Sequence, residues 1–130
     1  MYVEASWPRT EGETAVLQSE WLSTTNPACE LSFFYHSYGD NVGKLEVQVL
    51  GTSFNRFADK ILDGHSTDDW ISGSVDIGVV STARIIFTGS IGSAYDGDIA
   101  IDDVAFHSCG GKLSSLYFEL TVINNLRTLV

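Results

Sequence analysis

Basic residues are scarce: seven Lys and Arg stand against 17 Asp and Glu, for a formal net charge of −10. A surface so depleted repels phosphate backbones and anionic lipid, which argues against nucleic acid and electrostatic membrane docking. It attracts divalent cations and basic protein surfaces, or serves only to keep the chain soluble. Cysteine is equally scarce, with Cys29 and Cys109 far apart in the chain. No Cys-x-x-Cys occurs, which argues against zinc and thioredoxin chemistry. A single long-range disulfide, belonging outside the cytosol, and two reduced buried thiols both remain open. No apolar run approaches the ~20 residues of a membrane span. The start, Met1-Tyr2-Val3-Glu4-Ala5-Ser6-Trp7, has neither the basic beginning nor the apolar stretch of a secretory leader. Asn-x-Ser/Thr sequons are absent, and so is any long amphipathic stretch of helical period.

What is present reads as β-structure. The 130 residues are 44% apolar and 12% aromatic, enough for one domain with a real core and too few for two. Glycine is frequent, proline is limited to two, and β-branched and aromatic residues recur in short runs. Strands are predicted at Tyr2–Ala5, Thr14–Leu22, Cys29–Gly39, Lys44–Leu50, Trp70–Ile77 and Ala83–Gly89, with a short one near Lys60–Leu62. Turns fall at Trp7–Gly12, Thr24–Ala28 and Asp40–Gly43, and at Asp63–Asp69 within an irregular 51–69 segment. Lys44–Leu50 alternates cleanly, with Leu45, Val47 and Val49 inward and Lys44, Glu46 and Gln48 outward. Cys29–Gly39 carries bulk on both faces, as a central strand of a two-layer fold should. The predicted architecture is an all-β, two-layer antiparallel β-sandwich. Its expected core is Leu31, Phe33, Tyr35, Leu45, Val47, Val49, Val75, Ile77, Ile85, Phe87, Ile99, Ile101 and Phe106.

The stretch Gly97–Cys109 concentrates the chemistry. Ile99 and Ile101 alternate with Ala100, then Asp102 and Asp103 interrupt before Val104 and Phe106 resume the pattern. Carboxylates inside a buried strand need a sheet rim, hydrogen-bond donors or a cation. Asp98, and Asp96 beside it, stand close enough in sequence to join a hard-oxygen site for weakly bound Ca2+. Neighbouring strand residues face opposite ways, so Asp102 and Asp103 reach one ion only if a bulge re-aims one of them. His36, His65 and His107 come with no Gly-x-Ser-x-Gly or His-Glu-x-x-His, so no catalytic residues are assigned. Trp7, Trp21 and Trp70 suit either core positions or sugar stacking, which leaves a carbohydrate-binding module as the alternative function.

Read in order, several segments resemble one family. They are Tyr2-Val3-Glu4-Ala5-Ser6; Cys29 with Leu31-Ser32-Phe33-x-Tyr35-His36-x-Tyr38-Gly39; Val42-Gly43-x-Leu45-x-Val47; Trp70; and Arg84-Ile85-x-Phe87-x-Gly89. The last is Gly97-Asp98-Ile99-Ala100-Ile101-Asp102-Asp103-Val104-x-Phe106-x-x-Cys109. Together these resemble the MAM domain, a module of meprins, neuropilins and receptor tyrosine phosphatases. The resemblance implies a jelly-roll sandwich of concanavalin-like or galactose-binding-like appearance. It also implies an extracellular, non-catalytic adhesion module, cut from a larger cell-surface or secreted protein and binding a cell-surface or matrix protein, homophilically in some members. Cys29 and Cys109 resemble the family's second disulfide.

The resemblance covers residues 1–110. The family's opening strands and first cysteine pair lie upstream of it, so the expected chain is a module lacking both. Residues 111–130 resemble nothing in the family. A foreign end of this kind would follow from read-through at Gly111-Lys112, which GGTAAG can encode with a splice-donor start. Ser115–Ile123 nevertheless has strong β character, and the alternative is a genuine last strand on a vacant edge.

Overall fold

A computed structural model describes residues 2–3, 14–37, 43–53, 55–63, 69–91, 99–111, 118–122 and 128–129. Eleven strands appear among them: β1 (Tyr2–Val3), β2 (Thr14–Ser19), β3 (Leu22–Thr24), β4 (Glu30–His36), β5 (Gly43–Gly51), β6 (Arg56–Asp63), β7 (Ile71–Asp76), β8 (Val80–Ile91), β9 (Ile99–His107), β10 (Phe118–Val122) and β11 (Thr128–Leu129). They form two antiparallel sheets. One has the order β11-β1-β9-β4-β7; the other runs β10-β2-β8-β5-β6, with β3 also pairing β8. The predicted two-layer antiparallel sandwich is the fold observed.

Alternation decides which side chains lie between the layers. Leu31, Phe33 and Tyr35 of β4, Val75 of β7, and Ile99 and Ile101 of β9 face Leu45, Val47 and Val49 of β5 and Ala83, Ile85 and Phe87 of β8, all buried. Phe106 is only partly buried. It stands opposite Leu31 on the inner face, at the end of the sheet, and packs on the core from the rim. The bulk on β4 is likewise covered on one side alone: Phe33 is enclosed and Phe34 is exposed.

Three other expectations shift. The single strand over Thr14–Leu22 is two, because the Ser19 hydroxyl accepts the Ile85 amide (2.8 Å) and donates to the Glu20 carbonyl (2.8 Å). A side chain thereby takes a ladder position, and the chain leaves the β8 ladder for two residues before β3 resumes it. The short strand near Lys60–Leu62 runs over all of Arg56–Asp63, held along β5 with an irregularity between Val49 and Leu50. Thr24, expected in a loop, ends β3.

Thr24 belongs to a corner where the chain passes between layers. Its buried hydroxyl donates to the Gly78 carbonyl (2.5 Å) and accepts the Val80 amide (2.9 Å). Thr24→Val preserves shape but strands both backbone groups. It is expected to cost about 1–3 kcal/mol in chemical denaturation. An unchanged midpoint would mean that the corner does not depend on this hydroxyl.

Candidate functional site

Cys29 and Cys109 are joined as a disulfide, and both are buried. Their backbones complete the same corner. The Cys29 carbonyl accepts the amides of Ile77 (2.9 Å) and Gly78 (3.2 Å), and that of Cys109 accepts those of Thr25 (3.0 Å) and Asn26 (3.2 Å). Gly111 must approach this corner closely: at φ +70°, a Cβ there would collide with the Ser23 carbonyl oxygen.

The acidic pair lies in β9, the strand that leads into Cys109, on the outer face of the five-stranded sheet. Ser32 pairs with Ala105 and Phe34 with Asp102, so Asp103 and Val104 together oppose the single residue Phe33. This is a β-bulge, the device needed to bring both carboxylates to one side. Asp103 carries it with φ 52°, a left-handed conformation that Asp tolerates better than most residues. Its amide donates to Asp102 Oδ1 at 2.8 Å, which holds that carboxylate against the bend. Both side chains are exposed.

Register supplies the neighbours. Directly opposed residues share a face, which places Phe34 beside Asp102. Tyr35 pairs with Ile71, so Trp70 comes opposite His36, their rings 5.8 Å apart and tilted by 50°. Phe34, Trp70, Asp102 and Asp103 line a shallow depression of about 260 Å³. The exposed aromatics, invisible as a pair in the sequence, are what it adds to the acidic pair. Their separate strands meet only through the β4–β7 register.

The other expected site residues scatter. Asp98, Asp96, His65 and Trp7 lie outside the described residues. His107 Nε2 contacts Ser32 Oγ at 2.6 Å on the outer face. Trp21 lies between β2 and β3, beside the other sheet, with the Arg84 guanidinium 4.0 Å from its ring centre and Arg84 also donating to Gln18 Oε1 (3.2 Å). Among the described residues, no three His, Cys, Asp or Glu side chains converge for a metal. Calcium takes six to eight oxygens; of the expected ligand set only Asp102 and Asp103 are described, with at most four carboxylate oxygens between them. Among the same residues, no helix is long and apolar enough to cross a membrane.

A family model, MAM domain, meprin/A5/mu, matches residues 1–110. MAM domain-containing glycosylphosphatidylinositol anchor protein 1 of Gallus gallus is 37% identical over 106 residues, 80% of this chain and 11% of that protein. The anchor protein 2 of Homo sapiens is 36% identical over 115 residues, 81% of this chain and 12% of its own length. Neuropilin-1 of Xenopus laevis is 30% identical over 107 residues, 80% of this chain and 11% of the relative. The matched stretch is thus a small part of each relative, and residues 111–130 lie beyond the family match. With that match spanning β1 to β9, the bulge and the cystine, the chain belongs to the MAM domain family.

Proposed function

We propose that the chain is a non-catalytic extracellular module that binds a protein of the cell surface or matrix. One observation carries this reading. Phe34 and Trp70, 43% and 49% exposed, line a single depression on the outer face of a sheet. Exposed apolar groups gathered in this way mark contact surfaces, and covering each ring returns on the order of 1 kcal/mol. The relatives named as glycosylphosphatidylinositol anchor proteins support a cell-surface setting, and the cystine suits an oxidising compartment.

The Ser32–His107 contact does not favour an enzyme. Nucleophilic catalysis also needs a group orienting the base and donors for the oxyanion, and among the described residues no carboxylate bonds His107.

Binding of the purified chain to intact cells tests the proposal. Mild protease treatment of the cells is expected to abolish binding, and enzymatic removal of glycans to leave it intact. The reverse pattern, with a glycan-array signal lost on Trp70→Ala or Trp21→Ala, would establish the carbohydrate-binding alternative. Turnover lost on His36→Ala or His107→Ala would establish an enzyme.

A further inference from the structure

We infer that the depression between Phe34, Trp70, Asp102 and Asp103 receives an arginine side chain from a basic segment of the partner, an inference resting on the interaction-module reading above. Its walls are two aromatic rings and its charged side is two carboxylates gathered by the bulge. Asp102 is already oriented through the Asp103 amide, and among the described residues no Lys or Arg pairs with either carboxylate. An arginine guanidinium matches all four groups at once. It is planar and weakly hydrated, so it can stack on Phe34 or Trp70 while its fork of N–H donors reaches the carboxylates. A lysine ammonium is a compact, strongly hydrated charge and gains less from the rings.

The same chain already uses this chemistry internally, where Arg84 lies over Trp21 and donates to Gln18. Other occupants fit less well. Calcium, a hard cation that takes oxygen ligands, gains nothing from the aromatic walls, whereas a guanidinium stacks on them. A second copy docking through the same face would set its own Asp102 and Asp103 against this pair. A basic partner is instead drawn in by the net charge of −10.

The test is an NMR titration of the isotopically labelled 130-residue chain with two blocked peptides, identical except that one carries arginines and the other lysines. Shifts are expected to cluster at Phe34, Trp70, Asp102 and Asp103, with the arginine peptide bound several-fold more tightly. Asp102→Asn keeps the Oδ1 acceptor and Asp103→Asn keeps a residue that tolerates positive φ, so the double variant should fold as the wild type does. It is expected to lose about tenfold in affinity, and Trp70→Ala a comparable amount. Higher salt should weaken binding throughout.

Equal affinity for the two peptides, shifts mapping elsewhere, or full binding by the Asn variant would overturn the site. So would calcium alone shifting Asp102 and Asp103 and excluding the peptide, which would make this a metal site. Protease-sensitive cell binding that survives in the Asn variant would sink the arginine site while sparing the interaction-module reading. Cell binding that ignores protease would sink that reading itself.

Discussion

Replacing both Cys29 and Cys109 by alanine is expected to lower unfolding stability by about 4–5 kcal/mol, the chain-entropy value for a loop of 80 residues. A single domain commonly holds only about 5–15 kcal/mol in all, so the variant should unfold at a much lower denaturant concentration. Alanine is the right replacement because both positions are buried, and serine would add a hydroxyl in need of a partner. Either single variant already breaks the link, so the two effects should not add: each alone should cost nearly as much as the pair. The corner need not dissolve, because four amides still point at the Cys29 and Cys109 carbonyls. Hydrogen exchange at Thr25, Asn26, Ile77 and Gly78 should quicken. A loss below about 1 kcal/mol would mean that these bonds, with Thr24, already restrain the chain as tightly as the cystine does.

Phe33→Ala is expected to cost about 3–5 kcal/mol, read from the same denaturation curves. The ring is 1% exposed and stands edge-on to Phe87, with centroids 5.4 Å apart and planes at 88°. Tyr35 lies 6.3 Å away on the same strand, so the ring joins the two layers and spans neighbouring positions of its own. What makes the site particular is Gly73. It pairs directly with Phe33 across β4 and β7, and a Cβ added there would stand 2.7 Å from the ring. The glycine leaves room that the phenylalanine fills.

Gly73→Ala should therefore destabilise the wild type by pushing the ring out of place, an overpacking cost of about 1–3 kcal/mol. In the Phe33→Ala background the same change meets a cavity and should be neutral or favourable. The sign change between backgrounds is the readout, since neighbours sharing a space couple strongly. Additive effects would mean that the ring already has room to move aside.

Much of this was legible from order and spacing. The clean alternation of Leu45, Val47 and Val49 identified the inner face of that strand before any sheet was assembled, because period two is a local property of the backbone. Where the local pattern is interrupted, the partner strand decides. Ser19 looks like an ordinary strand residue until Ile85 lies opposite it, and Arg56–Asp63 looks irregular until β5 supplies its partner.

The family resemblance, the sandwich, the core faces and the placing of an acidic pair at a break in Ile99–His107 all came from the chain itself, through hydrophobic period and the cost of burying charge. The sequence could state the need for a bulge and not its presence. Only the pairing of β9 with β4 inserted Asp103 as the extra residue, and only the register of β4 with β7 carried Trp70 to the side of Phe34. Register is a relation between segments far apart in the chain. A slip of one residue would have turned the same side chains to the other face, so no local pattern could have placed those four residues around one depression.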